Sequence, residues 1–201
     1  MSDDQYQALI EAANFFNQAS RARLTTNDQF HPETLILSVS RMAGSLMYRS
    51  FEFDSAVEPG TTVLSEQANT DGPKLMNVMF TTLRQLGSPI SQEEVDHDYA
   101  SAKLSPLSFK GSHERLAPLY LGYIEKMSLP LHDAALGAAI ATGITVHDCS
   151  KVIPVEQGSA LAIYGFVEGT KTAPYPCVSD PHATDLDASA RKSKKPWYKL
   201  W

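Results

Sequence analysis

The residues from Pro130 to Cys149 constrain the fold more than any other part of the sequence. Their apolar stretch, Ala134 to Val146, predicts a helix that is apolar on nearly every side and must be covered by other elements. It is shorter than the ~20 residues that a bilayer span requires, so we expect the central helix of a bundle. Small side chains let neighbouring backbones come close to this helix: Ala134, Ala135, Gly137, Ala138, Ala139, Ala141 and Gly143.

Helical periodicity also recurs outside the central helix, and no strand-like alternation competes with it. The sequence therefore predicts an all-α, single-domain bundle of about six or seven helices. Residues 54–73 are expected to form a long connection with at most one short helix, because Pro59-Gly60 and Asp71-Gly72-Pro73 interrupt it. The other helices are predicted from Ser2 to about Leu24, from His31-Pro32 onward, over 74–86, as a peripheral helix opening at Ser91, from near Ala117 to 128, and from Pro154 onward.

The helical pattern of the sequence ends after residue 170. Prolines interrupt any helical period there, so we expect a helical domain over 1–170 and an extended, proline-containing arm over 171–201. From Ala188 to Trp201 the arm has basic but no acidic side chains, whereas the whole chain has a formal charge of −6. The body is thus acidic. It is a poor nucleic-acid surface, because phosphate binding requires clustered Lys and Arg.

The last eight residues of the arm combine cations with aromatic rings, including both tryptophans of the chain. Exposed aromatic side chains commonly bind a partner surface. We therefore expect the arm to bind a protein partner, to mediate self-association or to dock on its own acidic body. The predicted partner-binding residues are Lys194, Lys195, Trp197, Tyr198, Lys199 and Trp201.

Two His-Asp pairs, His132-Asp133 and His147-Asp148, lie near opposite ends of the central helix. Imidazole and carboxylate groups bind divalent metals, and with Asp96-His97-Asp98 they suggest a metal-dependent hydrolase. Fifteen residues of straight helix, however, separate the two histidines by about 22 Å. We therefore favour a structural interpretation, in which Asp133 near the helix start and His147 near its end interact with the helix dipole.

The polar face of the second helix carries Arg41 and Arg49, with Ser38 and Ser45 between them. Guanidinium groups bind carboxylates or phosphates through two parallel hydrogen bonds, so the two arginines are anion-binding candidates. A solvent-exposed helix face has the same spacing. We favour that second interpretation.

No catalytic signature is present: the sequence has no G-x-S-x-G elbow, P-loop, H-E-x-x-H or dinucleotide-binding glycines. We expect no cofactor. An acidic, polar start predicts no secretory signal, and two cysteines suit a reducing compartment, so the expected location is cytoplasmic. The sequence predicts a non-enzymatic protein-interaction or regulatory protein of adaptor or immunity type. The alternatives are the metal-dependent hydrolase and a small-ligand-binding protein with a cavity lined by Tyr and Met side chains.

Overall fold

The computed structural model describes residues 2–26, 29–51, 57–99 and 107–182. Within these ranges the fold is all-helical, as predicted, and contains no β-strand. Two single 3-10 turns, Gln92–Glu94 and His97–Tyr99, lie between the third and fourth helices. The six α-helices of the described part are α1 (Asp3–Leu24), α2 (Pro32–Arg49), α3 (Glu66–Gln85), α4 (Phe109–Met127), α5 (Leu131–Cys149) and α6 (Val155–Thr170).

The small-residue helix α5 is central, as the sequence predicted. Nearly all of its side chains from Ala134 to Val146 are buried, and it packs against α1, α2 and α3. A methyl group at Gly143 would lie 2.8 Å from Cβ of Thr82 in α3, and one at Gly137 would lie 3.1 Å from Cβ of Ala12 in α1. Because glycine has no side chain at these two positions, α1 and α3 lie directly on α5. Among the helices described, none has the length and apolar character of a membrane span.

Helices α2 and α6 form the most extensive helix pair. Gly165 of α6 faces Ser40 of α2, and one turn later Gly169 faces Gly44, so the two helices run in the same direction. A methyl group at Gly44 would lie 2.6 Å from the carbonyl oxygen of Phe166. Because small residues recur at four-residue spacing on both helices, the two backbones are in direct contact.

The predicted start of the third helix is wrong, because α3 begins before Asp71-Gly72-Pro73. Ser65 caps it by accepting a hydrogen bond from the Ala68 N–H at 3.1 Å. Pro73 lies inside the helix and removes one backbone hydrogen bond. Ala68 and Gly72 are nevertheless buried, and Gly72 lies next to Thr170 of α6. Packing on α6 thus outweighs the local cost of the proline.

The predicted start of the next long helix, near Ala117, is also wrong. Helix α4 begins at Phe109, and Ser108 caps it by accepting a hydrogen bond from the Gly111 N–H at 3.1 Å. Its first two turns bury Ser112 and His113 in addition to Phe109. These buried contacts stabilise the turns before the internal Pro118, although proline removes a helical hydrogen bond there.

The peripheral helix predicted from Ser91 is replaced, up to residue 99, by the two 3-10 turns. The predicted capping box is present, since the Ser91 N–H donates to the Glu94 carboxylate at 2.8 Å. Only Val95 of this stretch is buried, so there is no apolar face to hold a longer helix on the core. The rest of that predicted helix lies outside the described residues.

Residues 171–182 follow α6 without forming a helix. They first pair with the connection that precedes α3, where the Ala173 N–H donates to the Thr61 carbonyl at 2.9 Å. The Asp180 N–H then donates to the Pro118 carbonyl of α4 at 2.9 Å. Residues 183–201, and with them all six predicted partner-binding residues from Lys194 to Trp201, lie outside the described part of the chain.

Candidate functional site

The polar face of α2 is buried, which corrects the prediction of a solvent-exposed face. The Arg41 side chain is only 2% exposed, and Ser38 and Ser45 are fully buried. Helices α4 and α6 cover this side of α2. Periodicity correctly grouped these residues on one face, but it carries no information about what packs opposite them.

Arg41 connects three helices. Its Nε donates to the Glu168 carboxylate of α6 at 2.6 Å, and its Nη1 donates to the Leu107 carbonyl at 2.8 Å and to the Ser112 hydroxyl at 3.3 Å. Ser112 also contacts the Ser38 hydroxyl at 3.0 Å. Because its charge is already paired, Arg41 is a structural residue rather than a good site for an external anion.

Arg49 makes different contacts, and the structure does not bring it to the same partners as Arg41. Its Nη2 donates to the Tyr175 carbonyl at 2.9 Å, whereas its buried Nε has no partner among the described atoms. Burial lowers the pKa of Arg49, and the nearby Cys177 partly offsets this. Arg49 alone remains a predicted anion-binding residue.

His113 belongs to the same buried cluster, and no pattern in the sequence singles it out. The side chain is 1% exposed, its Nε2 lies 2.7 Å from the Ser45 hydroxyl, and its ring lies 4.9 Å from that of Phe109. Burial, followed by the charge of Arg49, lowers the pKa of His113 to about 4. The imidazole is therefore neutral at pH 7 and is a poor general base there.

The lowered pKa of His113 predicts a loss of stability in mild acid. Below its ordinary pKa of 6.5 the unfolded chain binds a proton that the folded chain does not bind until about pH 4. Stability therefore falls as the pH falls through this window, by about 2 kcal/mol between pH 7 and pH 5. Urea denaturation of the wild type and of His113→Gln at both pH values tests this. Equal pH dependence in the two proteins would contradict it.

The His-Asp pairs are held apart at the two ends of α5. Asp133 accepts a hydrogen bond from Gln5 of α1 at 3.1 Å, and Asp148 pairs with Arg21 of α1 at 2.8 Å. His147 contacts the Ser88 hydroxyl at 2.8 Å, while His132 lies beside Asp133. Across the described ranges, no three His, Cys, Asp or Glu side chains come together as metal ligands. These contacts connect α5 to its neighbours.

The two cysteines are free thiols. Burial raises the pKa of Cys149 to about 11. Burial also raises the pKa of Cys177, although the neighbouring Arg49 opposes this shift. Because thiolates are the reactive form, neither side chain is activated as a nucleophile at neutral pH.

An open groove of about 290 Å³ lies over α5, between α1 and α3. Leu136 and Ile140, one turn apart on α5, form its floor. Most of the lining surface is apolar. The walls consist of Tyr6, Leu9 and Ile10 from α1 and of Asn77, Val78, Thr81, Thr82 and Gln85 from α3.

The groove follows from the packing around α5. Gly137 and Gly143 let α1 and α3 lie close to α5 on either flank, and in the described structure those two helices hardly touch each other. No described helix crosses above Leu136, which is only partly buried, and Tyr6 at one end of the groove is 46% exposed. One stripe of an otherwise covered apolar helix thus remains open.

The sequence did not predict this lining. Among the Tyr and Met residues expected to line a ligand cavity, Tyr120 and Met79 are fully buried core residues. Tyr6, Thr81 and Leu136 come from three distant segments, and each alone fits an ordinary amphipathic helix. Their convergence is a property of the tertiary structure.

Comparison of the chain with protein families, with curated proteins and with solved structures gives no match. No activity, ligand or partner is therefore transferred from a relative. The buried cluster around Arg41 has structural contacts, whereas the groove presents an uncovered apolar surface. The groove is consequently the better candidate for a binding site.

Proposed function

We propose that this protein is a non-enzymatic interaction protein, of adaptor or immunity type, that binds an amphipathic helix of a protein partner. The observation that carries the proposal is the open apolar groove between α1 and α3, lined on α5 by the partly buried Leu136 and by Ile140. Amphipathic helices bind by placing their apolar face in a groove of this kind. The partner helix would take the vacant position above α5 in the bundle.

The wall formed by α3 suits such a partner. Asn77, Thr81 and Gln85 recur at four-residue spacing along it, so they form one row beside the apolar floor. Amide groups and hydroxyls both donate and accept hydrogen bonds. The row therefore fits the polar flank of a helix whose apolar face contacts Leu136 and Ile140.

The other two functions have less support. The separation of the His-Asp pairs gives no basis for a metal-dependent hydrolase. A small ligand would use the same groove, but sites for such ligands enclose most of the ligand in roughly 300–1,000 Å³. The open groove favours a longer partner. A cytoplasmic location, in which Cys149 and Cys177 stay reduced, belongs to the same proposal.

Site-directed photo-crosslinking in cells can identify the partner segment. A photoreactive residue replaces Gln85 on the groove wall in one protein and exposed Arg84, outside the lining, in the matched control. The segment cross-linked only from position 85 is then synthesised as a peptide. Its affinity is measured for the wild type, for Leu136→Glu on the groove floor and for Val152→Glu, which changes an exposed apolar residue elsewhere.

Leu136→Glu is expected to weaken peptide binding at least about tenfold, because it places a charge on the apolar floor, and Val152→Glu is expected to have no effect. Circular dichroism is expected to show helix formation by the bound peptide. Equal affinity for the wild type and for folded Leu136→Glu would refute the proposal.

A further inference from the structure

We infer that the C-terminal residues 183–201 of this chain occupy the groove over α5 until a partner displaces them. The inference rests on the proposed function, in that it takes the groove to be a docking surface. Three features support it: the course of the chain before residue 183, the charge at one end of the groove and the residues of the arm itself.

The described part of the arm runs along α4 towards its C-terminal end. The Tyr175 ring lies 6.3 Å from that of Phe109 in the first turn of α4. Five residues later the Asp180 N–H donates to the carbonyl of Pro118 in the middle of α4, and Ser179 donates to Glu125 near its end at 2.7 Å. The described part of the arm therefore ends beside the second half of α4, with a turn at residues 181–182.

The last turn of α4 lies at the end of the bundle where α1 and α5 begin. A short connection, 128–130, joins α4 to α5, and Gln5 of α1 donates to Asp133 of α5. Tyr6 and Leu136 line the groove at this same end. The 19 residues from 183 to 201 span at most ~60 Å when extended, which is enough to reach the groove and run along it.

The end of the groove at which α1 and α5 begin is negatively charged. Asp3 and Asp4 lie in the first turn of α1, and Asp133 lies in the first turn of α5, one turn before Leu136. Opposite charges on the arm would be attracted to this end. Its cations are Arg191, Lys192, Lys194, Lys195 and Lys199.

The last residues of the arm supply the apolar surface that would cover the groove floor. Trp197, Leu200 and Trp201 are three large apolar side chains within the last five residues of the chain. Indole rings bury large apolar areas, and Leu136 and Ile140 offer a matching aliphatic surface.

Tryptophan fluorescence tests this inference directly, because Trp197 and Trp201 are the only tryptophans in the chain. In the full-length wild type we expect blue-shifted emission and strong protection from acrylamide, relative to a synthetic peptide of residues 183–201. Leu136→Glu is expected to shift the emission to the red and to increase quenching severalfold. Thr81→Arg changes an exposed residue on the wall of the groove and adds a positive charge that repels the basic arm. It is expected to have the same effect on emission and quenching. Val152→Glu is the matched control.

Wild-type emission and quenching equal to those of the free peptide would overturn the inference. So would unchanged protection in both groove variants, each folded by circular dichroism. Protection that is lost on dilution would place the arm in the groove of a second copy and would overturn the intramolecular contact. If the arm is exposed but the partner peptide still requires Leu136, the inference fails and the proposed function stands. If peptide binding does not require Leu136, the proposed function itself fails.

Discussion

Gly169→Ala is expected to lower the free energy of unfolding by about 3 kcal/mol, the upper part of the usual range for overpacking a core. The added methyl group would overlap the Arg41 carbonyl and would lie 2.8 Å from both Cα of Gly44 and the backbone nitrogen of Ser45. All three obstacles are backbone atoms, which cannot rotate away as a side chain does. Helices α2 and α6 must therefore move apart along their most extensive contact.

Gly111→Ala is the matched control for that substitution. It adds the same methyl group to a helical glycine of α4, but the closest atoms belong to the Leu107 side chain, at 3.4 Å, and to the Ser108 hydroxyl, at 3.5 Å. Since alanine favours helix more than glycine does, we expect Gly111→Ala to be neutral or to stabilise the protein by up to about 1 kcal/mol. Urea denaturation curves measure both changes in the free energy of unfolding. Equal effects of Gly169→Ala and Gly111→Ala would contradict the close contact of α2 with α6.

Glu168→Ala is expected to lower the free energy of unfolding by about 3 kcal/mol, because it leaves a buried guanidinium without its counter-charge. Arg41 is 2% exposed, and its Nε donates to the Glu168 carboxylate at 2.6 Å. The remaining contacts of Arg41, to the Leu107 carbonyl and the Ser112 hydroxyl, are neutral acceptors and cannot replace the charge. Thermal or urea denaturation measures the loss.

Two comparisons show whether the loss of stability comes from the unpaired buried charge or from the loss of an ion pair in general. Glu114→Ala removes an exposed pair with Lys110, in which the side chains of Lys110 and Glu114 are 59% and 62% exposed, and it is expected to cost less than about 1 kcal/mol. The double variant Arg41→Met, Glu168→Leu removes both charges together. It is expected to be more stable than Glu168→Ala, since well-packed apolar residues often replace a buried pair without loss. A double variant as unstable as Glu168→Ala would show that the destabilisation does not come from the unpaired charge.

Two of the predicted helix boundaries that were wrong had been placed at prolines. Pro73 and Pro118 were interpreted as breaks in a helix, because a proline ring and its missing N–H oppose helical continuation locally. Both lie inside helices, α3 and α4, whose earlier turns bury residues against α6 and α2. The helix-breaking tendency of proline is a local property and takes no account of that burial, because the contacting residues lie far away in the sequence.

The polar residues of α2 show a similar limit. The shared face of Ser38, Arg41 and Ser45 was predictable from spacing, but its burial was not, since the same spacing occurs on exposed helices. Glu168, the partner of Arg41, lies 127 positions later in the chain. Nothing in either local segment indicates that the two side chains pair.

The all-helical class and the central position of α5 were determined by the sequence alone, because helical period and small apolar side chains act over a few neighbouring residues. The groove was decided only by the tertiary structure. Tyr6, Thr81 and Leu136 converge because Gly137 and Gly143 let α1 and α3 pack closely on two sides of α5. The surface of α5 between those two helices remains open. That outcome depends on which faces meet across long sequence separations, and no local pattern specifies it.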